Sequence, residues 1–333
     1  MDILTLNALT KWHSENCKPY RDFISTFFAT KDAETLADVP FLPVRAFKEF
    51  ELLSIPQADV FKTMTSSGTS GQFSQIFLDK ETAQIQSRAL IEIFGKTFSS
   101  RRFPMLVIDA ESTVKDRQRF SARTAAINGF SLFSRQRCFA LNDDLTLDLE
   151  RVRSFVEAQG DKPIFIFGFT FMVWKYLIEP IRTQNNFLNL KNAFLLHGGG
   201  WKKMEAEQVS ANQFRSVIKD VISCDNVRNY YGMVEQAGTI FMECVNGHLH
   251  AADKSDVMTR ERETHNPLPH GALGLIQVFS GIQKSYPGHS LLTEDIGVTK
   301  SAQSCPCGHP GTIIEIHGRL KKAEVRGCSD AYT

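Results

Sequence analysis

Apolar residues fall in two rhythms along the chain. Unbroken apolar runs at residues 105–108, 164–167 and 193–196 predict strands covered on both faces. Between them apolar positions recur at helical spacing. Ala83, Ile85, Ala89, Leu90, Ile91, Ile93 and Phe94 predict a helix over 81–94. The first run ends at Asp109. The second turns through Gly168, Phe169 and Thr170 into a helix carrying Trp174 and Tyr176. The third runs into His197, Gly198, Gly199 and Gly200, with a helix expected over 202–210. Residues 111–163 read as helical and polar, with the basic positions of 117–123 as a solvated face, and 227–231 reads as a further strand. Strand, glycine turn and helix in repetition predict a layered α/β fold, whose ligands gather at the carboxyl ends of the strands.

The two ends read differently. Leu4, Leu6, Leu9 and Trp12 have helical spacing, residues 20–28 are rich in aromatics, and Pro40-Phe41-Leu42-Pro43 interrupts the pattern. From Ala237 onward short β-type runs follow one another between glycines, at 239–242, 249–252, 273–279, 290–292 and 312–316.

Composition narrows the function classes. The 333 residues are 42% hydrophobic and 23% charged, an ordinary globular balance. A net charge of +1 argues against a nucleic-acid binder that relies on broad phosphate contact. No apolar run approaches a membrane span. Met1-Asp2-Ile3-Leu4 lacks the basic start and apolar core of a signal peptide. Seven unevenly spaced cysteines do not form a disulfide framework, so the chain reads as reduced and cytoplasmic. The 26 phenylalanines against 6 tyrosines fit either a large core or a pocket for an apolar substrate.

One stretch stands out chemically. Thr65-Ser66-Ser67-Gly68-Thr69-Ser70-Gly71 brings hydroxyls and unshielded backbone N–H groups together, the materials of an anion cradle. It matches neither the Gly-Lys-Ser/Thr phosphate loop nor the dinucleotide fingerprint. The bland alternative is a linker. Its shortness, its lack of proline and the helix close behind it favour a phosphate loop.

Other segments complete a pattern. Thr65 to Gly71 resembles the phosphate loop of adenylate-forming enzymes. Tyr230-Tyr231-Gly232-Met233-Val234-Glu235-Gln236 resembles their aromatic-Gly-x-x-Glu motif, Thr293-Glu294-Asp295-Ile296-Gly297 their Thr-x-Asp-x-Gly segment, and Gly318-Arg319 their hinge. With Gln72, Cys305-Pro306-Cys307-Gly308 and Lys321-Lys322-Ala323-Glu324-Val325-Arg326-Gly327-Cys328, the chain is similar to the acyl-protein synthetases of bacterial luminescence systems, the fatty-acid ligase component of a fatty acid reductase. Phenylacetate–CoA ligases are more distant relatives.

The resemblance implies an adenylate-forming enzyme fold that divides into an N-terminal helical cap (1–60), an α/β nucleotide-binding core (61–236), a β-rich subdomain (237–319) and a short tail (320–333) after the hinge. It implies that ATP and Mg²⁺ activate a carboxylic acid, of fatty or aryl type, as acyl-AMP. Ser66, Ser67, Gly68, Thr69, Ser70 and Gly71 would hold phosphates; Tyr231, with Gly232 and Met233, would lie at the adenine, and Gly198, Gly199 and Gly200 would let it approach the backbone. Asp295 would accept from the ribose, Arg319 would sit at the hinge and Glu235 would bind Mg²⁺. Taken singly, Tyr231 could be core, Glu235 a surface carboxylate and Asp295 a turn cap. The chain departs from full-length ligases beyond the hinge, where a lid domain bearing a catalytic lysine would follow. The lid is expected to be truncated, with Lys202, Lys203, Lys321 or Lys322 as weak substitutes for the lysine.

Two cysteine questions follow. Cys328 is implied as the thiol that takes the acyl group as a thioester and carries it to a reductase partner; the bland alternative is an inert thiol. Cys244, His250, Cys305 and Cys307 would make a tetrahedral structural zinc site, with His248 or His309 as substitutes, against reduced cysteine pairs. Competing functional readings are an acyl- or aryl-CoA ligase that uses CoA as acceptor, and a degenerate non-catalytic adenylation scaffold that binds a partner enzyme.

Overall fold

A computed structural model describes residues 1–29, 31–65, 73–115, 122–201 and 207–320. Among these, 13 strands form one sheet that runs through most of the molecule. From its edge the order is Ser134–Leu141, Phe103–Ala110, Ile164–Phe169, Ala193–Gly198 and Asn226–Tyr231, all parallel. The sheet then reverses. Phe241–Glu243 is antiparallel to Asn226–Tyr231, and Leu249–His250, Ile313–Arg319, Ser290–Lys300, Gly274–Ser280, Ser255–Arg260 and Pro267–Leu268 continue it as an antiparallel field. The β-type runs of the C-terminal third therefore share hydrogen bonds with the α/β half.

The parallel strands are buried on both faces, and residue parity decides which side chain faces which layer. Leu106, Ile166, Leu195 and Val227 pack beneath the helices Leu149–Gln159 and Ala211–Ile222 and the helical segment of 170–183. Met105, Phe165, Phe167, Phe194 and Tyr230 face the helices Lys80–Thr97 and Ala122–Phe130. This second layer absorbs much of the phenylalanine. Phe94 stacks on Phe133 at 3.7 Å between ring centroids and Phe98 on Phe194 at 4.5 Å. Here the aromatics fill a core.

The expectations for residues 111–163 need correction. Residues 111–163 contain the edge strand Ser134–Leu141, whose first half is polar because only one flank is covered. Ser210, expected to end a helix over 202–210, accepts from Gln213 N as the N-cap of the helix Ala211–Ile222. Residues 202–206 lie outside the described set. Arg123, expected on a solvated face, forks onto buried Asp109 through Nε–Oδ2 at 2.9 Å and a second bond from Nη2.

The N-terminal helices Ile3–Asn16 and Lys18–Phe27 pack on the antiparallel field. Buried His13 bonds Ser54 Oγ at 2.7 Å and the Gln283 carbonyl at 3.0 Å, and it stacks on His289. Leu42–Pro43 then joins the sheet in parallel beside Leu291 and Leu292. No helix among the described residues is long and apolar enough to cross a membrane.

Candidate active site

The site forms where the parallel half of the sheet ends. Tyr231, the last residue of its strand, donates its hydroxyl to Asp295 Oδ2 at 2.8 Å. Asp295 pairs in register with Arg319 on the neighbouring strand. The guanidinium lies 3.1 Å from Glu294 Oε2 and 3.7 Å from Asp295 Oδ1. Desolvation raises the Asp295 carboxyl above its ordinary value, while the Tyr231 hydroxyl and the Arg319 charge hold it partly down. Three motif residues far apart in sequence thus meet.

Gly232 and Met233 lead into the single turn Val234–Gln236. Gln236 pins that turn with its amide, donating to the Val278 carbonyl at 3.1 Å and the Gly288 carbonyl at 2.8 Å. The turn buries Glu235. Desolvation raises its carboxyl, and the Ser74 hydroxyl, together with the charges of Lys48 and Arg319, opposes the rise. Ser74 lies two residues beyond the segment 66–72. That places the start of the following strand, Gln75–Leu78, at the carboxylate.

Phe169 and Gly198 end their strands side by side in register. Thr170 Oγ1 bonds His197 Nδ1 at 2.9 Å and donates to the Gly198 carbonyl at 3.1 Å. Burial pushes His197 down to about 3, so it is a neutral bracket for the glycine turn. Gly199 has φ +77°, and a Cβ there would lie 2.4 Å from the Phe169 ring. Gly198 backs onto Tyr230, and Gly200 has open space around it. Gly199 and Gly200 both have positive φ, and three glycines in a row put no side chain between the turn's backbone and a ligand.

A second cluster lies in the antiparallel field. One ligand atom from each of Cys244, His250, Cys305 and Cys307 falls within 4.8 Å of the others. Cys244 Sγ is 3.7 Å from Cys305 Sγ, and Cys307 Sγ is 3.4 Å from His250 Nε2. A tetrahedron with zinc–sulfur bonds of about 2.3 Å has edges of roughly 3.8 Å. His250 Nδ1 lies 3.0 Å from the Gly311 carbonyl oxygen, so Nε2 faces the thiols. A Cβ at Gly311 would lie 1.8 Å from the Ala251 carbonyl oxygen, so only glycine allows this approach. The backbone N–H groups of Asn246 and His309 donate to Cys244 and Cys307, each at 3.4 Å. His248 touches Cys305 from outside the four. His309 lies beside the His250 ring at 5.5 Å. No disulfide joins the described cysteines.

Of the residues singled out by sequence, Tyr231, Gly232, Met233, Glu235, Asp295 and Arg319 gather around the end of the central strand, and Gly198, Gly199 and Gly200 end the strand beside it. Ser66, Ser67, Gly68, Thr69, Ser70, Gly71 and Cys328, with Lys202, Lys203, Lys321 and Lys322, lie outside the described residues. Sequence reasoning passed over Lys48 and Ser74. Ser74 is betrayed only by its nearness to the loop, and Lys48 by nothing local.

Comparison with known proteins identifies the family and the fold. The family described as "Acyl-protein synthetase, LuxE" matches residues 2–333. The long-chain-fatty-acid–luciferin-component ligase of Vibrio harveyi is 25% identical over 339 aligned residues, covering 97% of this chain and 86% of the relative. The ligase of the same name from Aliivibrio fischeri is 24% identical, covering 96% and 84%. Among solved structures, 2-hydroxyisobutyryl-CoA ligase in complex with 2-HIB-AMP and CoA superposes with a TM-score of 0.73 at 15% identity, over 96% of this chain and 69% of that one. ATP-bound MatB from Rhodopseudomonas palustris gives 0.51 at 14% identity, over 80% and 49%. The fold is that of the adenylate-forming enzymes.

Proposed function

The chain belongs to the acyl-protein synthetase, LuxE family, and from that membership we propose that it activates a fatty acid with ATP and transfers the acyl group to Cys328 of the same chain. The observation that carries this reading is the meeting of Tyr231, Asp295 and Arg319, with buried Glu235 reaching back to Ser74 beside the loop. In the first step an oxygen of the acid's carboxylate bonds to the α-phosphorus of ATP, and the electron pair of the broken P–O bond leaves with pyrophosphate. In the second, the Cys328 thiolate attacks the acyl carbon and AMP leaves.

Each residue has a part. Asp295 accepts from the ribose hydroxyls, as an acidic residue does at other nucleotide sites. Tyr231 orients that carboxylate and offers its ring to adenine. The glycine turn Gly198 to Gly200 admits the base, and Ser66, Ser67, Gly68, Thr69, Ser70 and Gly71 cradle phosphates. Arg319 brings positive charge to the hinge. Glu235 suits a Mg²⁺ ligand: its buried carboxyl is raised by desolvation, an environment a hard cation relieves. Bound there, Mg²⁺ would neutralise charge building on the phosphate oxygens. The Cys244, His250, Cys305 and Cys307 tetrad fits structural zinc in edge lengths, tautomer and N–H···S bonds. It has no open position for substrate. The thiol chemistry fits a reducing compartment, the cytoplasm, and the acyl thioester suits a reductase partner.

Intact-protein mass after incubation with Mg-ATP and a panel of fatty acids tests the proposal. A gain of one acyl group, removed by neutral hydroxylamine and absent in Cys328→Ser, is expected. Acid-dependent pyrophosphate release without an adduct would move the acceptor outside the chain, to CoA or another thiol. No release with any acid would refute the ligase reading.

A further inference from the structure

Lys48 sits on the single-turn helix Ala46–Glu49, far in sequence from every motif. Three contacts bring it to the site. Leu42–Pro43 runs parallel to Leu291 and Leu292, and Val44 N donates to the Leu292 carbonyl at 2.9 Å. Two parallel segments arrive at the same end of a sheet, so the helix emerges beside Thr293, Glu294 and Asp295. Phe47, 1% exposed, then packs edge-on against Tyr286 at 6.0 Å. The Tyr286 ring in turn leans on Gly288, where a Cβ would lie 2.6 Å from the Glu235 carbonyl oxygen. Finally, the helix packs on Gln75–Leu78, the strand that begins one residue beyond Ser74.

Lys48 differs from its neighbours in having no ion-pair partner among the described residues. Arg45 of the same turn pairs with Glu49 at 3.2 Å on the exposed side. Arg319 is taken by Glu294 and Asp295. Lys48 is half-buried and makes no ion pair with a described residue, yet its charge reaches the Glu235 carboxyl. A half-buried ammonium whose charge is felt at a buried carboxylate, and which makes no salt bridge with a described residue, is suited to engage an incoming anion.

We infer that Lys48 is a catalytic cation of the adenylation step, donating hydrogen bonds to a non-bridging oxygen of the α-phosphate opposite Glu235. This rests on the ligase reading above. Lys48 changes no covalent bond. It stabilises the negative charge that spreads over the phosphoryl oxygens as the carboxylate–phosphorus bond forms and pyrophosphate departs. Its position is set by the N-terminal segment, so that segment becomes part of the active site as well as a cover for the sheet.

The test compares Lys48→Met, Lys48→Arg and Arg45→Met in ATP–pyrophosphate exchange driven by a fatty acid. Calorimetry of an acyl-sulfamoyl adenosine, which binds without turnover, and a thermal melt accompany it. Lys48→Met is expected to lose about 100-fold in kcat. It should bind the probe roughly tenfold more weakly, with an unchanged melt, because the side chain makes no ion pair with a described residue. Lys48→Arg should recover part of the rate, and Arg45→Met should match the wild type. A wild type active in exchange with Lys48→Met within threefold of it overturns the assignment while sparing the ligase reading. Equal losses in Lys48→Met and Arg45→Met overturn it too, since a diffuse field from the helix would then suffice. A wild type silent in both exchange and probe binding sinks the ligase reading itself, and with it the role of Lys48.

Discussion

The antiparallel field and its border hold two knots of buried polar groups that differ in how far they are satisfied. In the Cys244, His250, Cys305 and Cys307 knot the ligand atoms face one another and are held from outside: N–H groups donate to sulfur, His248 and Asn246 reach Cys305, and a carbonyl fixes the imidazole. In the Glu235 knot a carboxyl is buried with one hydroxyl and two cations near it, and one of those cations has no other ion-pair partner among the described residues. A closed set of ligands holds structure together. An unsatisfied set is a place for a substrate to complete. The same sheet supports both because its strands fix the backbone and leave the side chains to differ.

The contrast breaks most visibly at the closed knot. Cys305→Ser, or stripping metal with a strong chelator, should lower Tm by on the order of 10 °C, since structural zinc supplies folding free energy directly. Metal analysis should show one zinc per chain before and none after; a metal-free wild type with the same Tm would make the four residues an ordinary packed cluster. Glu235→Gln should do the reverse, lowering adenylate formation by about 100-fold while leaving Tm unchanged or raised, because a buried charge is removed. A Glu235→Gln protein that melts early and adenylates normally would erase the distinction between the two knots.

The smallest effect is in pH. Burial raises the Asp295 carboxyl above its ordinary value of 3.8. The folded state therefore binds the proton more tightly than the unfolded one. Stability falls as pH rises from about the ordinary carboxylate value through the raised one, and recovers as pH drops. Asp295→Asn should flatten that slope in denaturant titrations across the acid range. An identical slope in the variant would show that the group titrates as if exposed.

The motifs were legible because their residue types are unusual in combination, and the central strands because unbroken apolar runs have few other uses. The edge strand Ser134–Leu141 escaped because half its length faces solvent and lacks any apolar run. The helix Ala211–Ile222 escaped because its N-cap, Ser210, is a serine, which can open a helix as well as follow one. Lys48 was invisible for a different reason. Its partners are set by the pairing of Leu42–Pro43 with a strand near the other end of the chain, and no local pattern encodes such a pairing. The four metal-type ligands were legible as residue types, but their edge lengths depend on three separate turns closing together.

The adjacent tyrosines at the end of Asn226–Tyr231 carry a consequence for how the chain tolerates change. Tyr230 enters the phenylalanine layer and Tyr231 reaches Asp295, and nothing but strand parity distinguishes them. Deleting one residue between Asn226 and Tyr230 would carry Tyr231 into the phenylalanine layer and bring Gly232, with no ring or hydroxyl, to the place beside Asp295. Substitutions within this strand can accumulate one at a time, but changes in its length cannot. Here the molecule works as a vernier, with one notch separating its core from its chemistry.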